Sequence, residues 1–152
     1  MHIVLVEPEI PQNTGNIARS CALTGCTLHL VGKLGFSLED RYLKRAGLDY
    51  WEYVNIMRWT GFHELLEHYQ DANFYLATTK AQKYYNRISY QPDDMLVFGA
   101  ESRGLPEDIL SMFPDKHIRI PMIDIGRSLN LSNAAAIIMY EALRQMDFPG
   151  LD

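Results

Sequence analysis

A chain of 152 residues with 47% hydrophobic and 22% charged side chains has the composition of a soluble globular protein, long enough to bury a core without disulfide staples. No apolar run approaches the roughly 20 residues that cross a bilayer, so a membrane protein is excluded. A formal net charge of -5 argues against a protein that grips nucleic acid by electrostatics alone, leaving local basic patches and shape for any RNA partner.

The chain opens on Met1-His2-Ile3-Val4-Leu5-Val6, an apolar run that meets Glu7-Pro8-Glu9 instead of a basic flank and a small-residue cleavage site. It therefore reads as a first strand, His2 to Val6, and not as a leader. After the Pro11 punctuation a helix is expected from near Asn13 to Gly25, a residue suited to a left-handed C-terminal position. A second strand is expected at Thr27 to Val31, and Ser37-Leu38-Glu39-Asp40 has the form of a capping box for a helix closing at Gly47. Next come a strand at Val54 to Met57, a helix from Thr60 toward Tyr69, and strands at Phe74 to Ala77 and Met95 to Phe98. Pro106 suits the first position of a short helix, and Lys116 to Ile120 reads as a sixth strand.

The last element has the clearest pattern. Ala135, Ile138, Met139, Ala142, Leu143 and Met146 recur at offsets of three and four, giving a helix with a continuous apolar stripe that must pack on the sheet or on another copy of itself. Strands alternating with helices predict an α/β fold, a largely parallel sheet flanked by helices. No repeat, low-complexity tract or linker interrupts the chain, so residues 1–152 are expected to form one domain. Cys21 and Cys26 stand five apart, outside any C-x-x-C, which supports neither a disulfide framework nor a zinc site. Two buried thiols in a reducing cytoplasm, with no metal, are expected.

Three segments gather polar and small residues where strands should end, the place where open α/β sheets bind ligands. The first, Glu7 to Arg19, is stiffened by Pro8 and Pro11 and delivers Asn16 and Arg19 on the first turns of a helix; a capped helix with a solvated Arg accounts for the same residues. The second, Phe98 to Pro106, carries Gly99 and Gly104, which allow close backbone approach to a ligand, with Glu101 between them as an anionic acceptor. A tight turn before a proline-started helix explains it equally. In the third, Ile118 to Ala134, the side chains of Ser128, Asn130, Ser132 and Asn133 crowd one helix entrance, more hydrogen-bonding groups than a single cap requires. No G-x-G is present, so neither a dinucleotide fingerprint nor a P-loop can be built. The absence of H-x-x-x-H and G-x-S-x-G weakens metal and serine hydrolase readings.

At these segments the sequence resembles the SPOUT class of RNA methyltransferases, and within it the small single-domain enzymes that methylate the ribose 2′-hydroxyl of the wobble nucleotide, position 34, of leucine tRNAs. The resemblance covers nearly the whole chain, through EPEIPQNTGNIAR (Glu7 to Arg19), LGF (Leu34 to Phe36), AGLDY (Ala46 to Tyr50), ATTK (Ala77 to Lys80), FGAESRGLP (Phe98 to Pro106), RIPM and RSLNLSNA. Val6, Ala100, Ser102, Gly126 and Leu129 stand where the family usually has Tyr, Pro, Thr, Ser and Met.

The resemblance implies a deep trefoil knot at the C-terminal end, a rare exception to unknotted connectivity, with S-adenosyl-L-methionine bent inside it. The donor pocket it implies is made of Ala77, Thr78, Gly99, Glu101, Ile120, Met122, Ser128, Leu129 and Asn130. Arg19, with Asn16 and Glu101, is implied at the reacting ribose. A guanidinium is a poor proton acceptor near neutrality, so stabilisation of developing alkoxide charge is the expected role of Arg19; Glu101 could face the sulfonium or hold Arg19 from a neighbouring subunit.

A homodimer is implied, with first and last helices at its interface and an anticodon stem-loop as substrate. Arg41, Lys44 and Arg45 on one helical face, and Lys80, Lys83, Tyr84 and Tyr85 with Arg87, are the candidate tRNA contacts; a solvated surface explains either patch. A ribose methyltransferase of another tRNA position or of ribosomal RNA, and a non-catalytic RNA-binding module of the same fold, remain alternatives.

Overall fold

A computed structural model describes residues 1–39 and 50–152. Among these residues six strands form one sheet: β1 (His2–Val6), β2 (Thr27–Val31), β3 (Ile56–Trp59), β4 (Phe74–Ala77), β5 (Met95–Phe98) and β6 (His117–Ile118), in the spatial order β3-β2-β1-β5-β4-β6. Every pairing is parallel, for example Ile3 beside Leu28 and Leu96. Parallel strands covered on both faces read as unbroken apolar runs, and Met95–Phe98 is buried at every residue.

Side-chain alternation sorts these runs into two cores. Ile3, Leu5, Leu28, Leu30, Leu96 and Phe98 face α1 (Pro11–Thr24) and the last helix (Leu131–Gln145), which contributes Ala135, Ile138, Met139, Ala142 and Leu143. Val4, Val6, Val31, Met95 and Val97 face the opposite way, onto α2 (Phe62–His68) and α3 (Glu107–Met112). The last helix, α4, also packs on α1. Cys21 and Cys26 are free, buried thiols, and burial pushes both above the usual thiol range.

Several boundaries differ from expectation. α1 starts at Pro11, two residues before Asn13, because proline has the backbone angle and lacks the N–H that a first helical position can spare; it ends as expected on Gly25, at φ 70°. β3 is Ile56–Trp59, not Val54 to Met57, since its register is set by β2: Leu28 N–H donates to the Asn55 carbonyl and Gly32 N–H to that of Trp59. Val54 fills the core from the preceding turn. α2 starts at Phe62, with Glu64 accepting from the Thr60 amide and hydroxyl. Pro106 is the cap residue of α3 rather than its first residue. The ladder of β6 is confined to two residues, and Arg119 continues it only as a bridge to Tyr84. Ser37 to Glu39 forms a turn, and the rest of the helix expected to close at Gly47 lies outside the described residues.

One buried polar element sits between β1, β2 and β3. His29 is fully buried; its Nδ1 accepts from Trp59 Nε1 at 3.0 Å, so its proton is on Nε2 and is donated to His2 Nδ1 at 2.9 Å. Burial, with the nearby His2 and His68, pushes the His29 pKa down to about 3, which keeps the ring neutral and the network satisfied.

Candidate functional site

Strand order reverses between β1 and β5. The loop after β1 leads to α1 on one face of the sheet and the loop after β5 leads to α3 on the other, which opens a crevice at the carboxyl ends of the strands. There the structure has a cavity of about 510 Å³, within the size range of small-molecule sites. Phe98, Leu105, Leu110, Ile118 and Ile138 form its apolar walls.

The rim comes from separated loops: Ala77, Thr78 and Lys80 after β4, Gly99 and Glu101 after β5, Ile120 and Met122 after β6, and Ser128, Leu129 and Asn130 before α4. Every residue implied as a donor contact thus lines one cavity. The sequence segments are far apart, and the parallel sheet brings their strand ends to one edge.

Gly99 stands where only hydrogen fits. A Cβ there would lie 2.1 Å from the Gly104 carbonyl carbon and 2.2 Å from the Leu105 nitrogen. The chain turns back so tightly because Gly104, at φ 71°, donates its N–H to the Ala100 carbonyl.

A polar clasp joins the two diverging loops. Glu101 accepts from the Glu9 amide at 2.7 Å, the Ile10 amide at 3.1 Å and Asn13 Nδ2 at 3.0 Å. In return Glu9 accepts from the amide and hydroxyl of Ser102, bonds that hold its carboxyl below the usual range, while Arg103 pairs with Glu7. Asn13 Oδ1 accepts from Asn130 Nδ2 at 2.9 Å, and Asn130 Oδ1 caps α4 by accepting from the Ser132 and Asn133 amides and the Ser132 hydroxyl. The crowded helix entrance is therefore a cap fused to a relay that reaches β5.

Asn13, missed in the sequence, is the central residue of this relay. It is 5% exposed. With the helix starting on Pro11 it is the third helical residue, whereas a start at Asn13 makes it the first. Asn16 and Arg19 are exposed on α1 and do not line the cavity. The Arg19 guanidinium lies over the Tyr50 ring at 4.6 Å and donates to its hydroxyl at 3.1 Å.

Of the candidate RNA contacts, Lys80 lines the cavity, Lys83 and Tyr84 are exposed beside it, and Tyr85 is half-buried against the core. Arg41, Lys44 and Arg45 lie outside the described residues. Among the described residues no His, Cys, Asp and Glu group could hold a metal ion, and no helix is long and apolar enough to cross a membrane.

Residues 1–140 match the SpoU rRNA methylase family. The chain is 52% identical, over 97% of both sequences, to the tRNA (cytidine(34)-2'-O)-methyltransferase of Methylovorus glucosotrophus. It superposes at a TM-score of 0.91 and 43% identity, over 96% of this chain and 95% of the other, on a solved structure that concerns 2-OH methylation of C/U34 on tRNA. The fold is shared with the SpoU methyltransferase AviRb of Streptomyces viridochromogenes in complex with AdoMet, at a TM-score of 0.88 and 22% identity, covering 97% of this chain and 60% of that one.

Proposed function

Because the chain belongs to the SpoU rRNA methylase family, we propose that it methylates the ribose 2′-hydroxyl of the wobble nucleotide, cytidine or modified uridine at position 34, of leucine tRNAs. S-adenosyl-L-methionine is the donor and S-adenosyl-L-homocysteine the product. The observation that carries this reading is the convergence of Ala77, Thr78, Gly99, Glu101, Ile120, Met122, Ser128, Leu129 and Asn130 on one cavity. Its apolar walls and loop backbone suit a purine with a flexible amino-acid tail.

When bound, the donor supplies an electrophilic methyl carbon on a sulfonium. The ribose oxygen must approach in line behind that carbon, so positioning is the main contribution of the protein. Glu101, Asn13 and Asn130 act as positioning residues, locking the loops after β1 and β5 to the entrance of α4. Arg19 orients the ribose and neighbouring phosphate and stabilises charge developing on the oxygen; the proton leaves through phosphate or water.

Asn16 and Arg19, three apart on the exposed face of α1, do not line the cavity of their own chain. Leu23 on α1 and Ile137 and Tyr140 on α4 are also exposed, at 58%, 37% and 47%. These faces support a homodimer in which Arg19 serves the partner subunit's cavity. A knotted C-terminus fits the path from β6, at the sheet edge, back to α4 on α1: loop 78–94 touches both ends of that path, through the Arg119 bridge to Tyr84 and a bond from the Tyr90 amide to Gln145. Lys80, Lys83 and Tyr84 at the rim suit an anticodon stem-loop.

The test is incubation with labelled donor and unfractionated tRNA, followed by mapping of the modified nucleotide. Label on a ribose at position 34 is expected. Label confined to ribosomal RNA or to another tRNA position would overturn the substrate assignment, and no uptake of donor would overturn the reaction.

A further inference from the structure

Arg119 lines the cavity and has no counter-ion among the described residues. Among the described residues the ion pairs are Arg103 with Glu7 and Arg144 with Glu141, so no carboxylate lies within 4.0 Å of Arg119. Among the described residues its Nε has no hydrogen-bond partner although it is closed off from solvent, an arrangement that costs free energy. Its guanidinium lies over the Tyr84 ring at 5.1 Å from the centroid.

The backbone on both sides is tied down, Arg119 N–H donating to the Lys83 carbonyl and Tyr85 N–H to that of Arg119, both at 2.9 Å. A guanidinium placed over a ring by a fixed backbone loses little freedom when an oxyanion meets it.

The surroundings indicate which oxyanion. Residues 78–92 carry Lys80, Lys83 and Arg87 and no Asp or Glu, although the whole chain has a net charge of -5. Lys80, Lys83, Tyr84 and Arg87 are exposed, and both Lys80 and Arg119 line the cavity. A small donor needs one counter-charge for its carboxylate, whereas a row of cations running out of the cavity onto an exposed aromatic ring matches a polyanion with bases to stack.

We infer that Arg119, over the Tyr84 ring, binds a backbone phosphate of the substrate RNA next to the nucleotide held at the cavity. This rests on the methyltransferase reading above and adds a residue to it. Arg119 supplies the planar fork that fixes the phosphate, and Lys80 and Lys83 supply unspecific attraction around it.

The experiment measures two affinities on the full-length protein: S-adenosyl-L-homocysteine by calorimetry without RNA, and tRNA by filter binding across a salt series. In Arg119→Ala the donor-product affinity stays at the wild-type value. Its tRNA affinity falls about tenfold or more, and the slope of log K against log salt becomes shallower by about one. Arg119→Lys restores the slope but only part of the affinity, Tyr84→Phe binds tRNA as wild type does, and Tyr84→Ala weakens it to near the level of Arg119→Lys.

Unchanged tRNA affinity and slope in folded Arg119→Ala overturn the inference, and so does a loss confined to the donor product, which would place the donor carboxylate on Arg119. Should Arg119→Ala not fold, full tRNA affinity in Arg119→Lys overturns it. Failure of the wild type to take up the donor product sinks the methyltransferase reading instead, and is distinguishable because that measurement contains no RNA.

Discussion

Replacing Glu101 by Gln removes one acceptor oxygen and a charge while leaving the shape of the side chain. The carboxylate now serves three donors, Oε2 taking the Glu9 amide and Oε1 the Ile10 amide and Asn13 Nδ2. The best Gln orientation keeps its oxygen on the latter two and turns its NH₂ toward the Glu9 N–H, so two donors face each other. Flipping the Gln amide would require Asn13 to flip as well, which sets Asn13 Nδ2 against Asn130 Nδ2. Asn130 cannot follow, because its oxygen is held by the first amides of α4. The relay thus has a fixed direction, from the helix cap to the carboxylate.

Loss of one charge-assisted bond and frustration of a partly buried amide cost about 2 kcal/mol, which at this chain length lowers Tm by about 4–8 °C. Urea unfolding and calorimetric binding of S-adenosyl-L-homocysteine measure the effect: the urea midpoint and the affinity are expected to fall together. If Glu101→Gln unfolds at the wild-type midpoint, binds normally and loses only turnover, Glu101 is a reacting group and its reading as a clasp is wrong.

Two further predictions follow from buried geometry. His29 has its folded pKa lowered to about 3 from an unfolded value of 6.5, so between these values the unfolded chain binds the extra proton and stability falls as pH drops. At pH 5 the loss is about 2 kcal/mol, read as a lower urea midpoint than at pH 7.5; the lowered His2 acts in the same direction. Equal midpoints at the two pH values would show that His29 takes up its proton without penalty. Gly99→Ala sets a methyl group 2.1 Å from the Gly104 backbone, so the turn must open. A destabilisation of about 1–3 kcal/mol and loss of donor-product binding are expected, and wild-type values for both would show that the turn is not held closed.

Much of the architecture was legible because periodicity is a local property. Each expected strand overlaps an observed one, with β3 shifted and β6 shortened, Gly25 ended α1 as a residue free to adopt positive φ, and the α4 stripe includes Ala135, Ile138, Met139, Ala142 and Leu143, which close one core. The polar segments also meet at one edge, around the cavity, since parallel strands deliver all their carboxyl ends to one side of a sheet.

What the sequence determined by itself is therefore the kind of the elements observed among the described residues, the edge of the sheet where the cavity opens, and the segments that line it. Tertiary structure decided which atoms meet: that Asn13 rather than Asn16 turns inward, that Glu101 is held by residues 88 to 92 positions away, and that Arg119 has no carboxylate beside it among the described residues. Helix and strand patterns repeat over a few residues and can be counted along the chain. A hydrogen bond between loops depends on strand order and helix start, and a shift of two residues, as between Asn13 and Pro11 at the head of α1, turns a different side chain toward the partner.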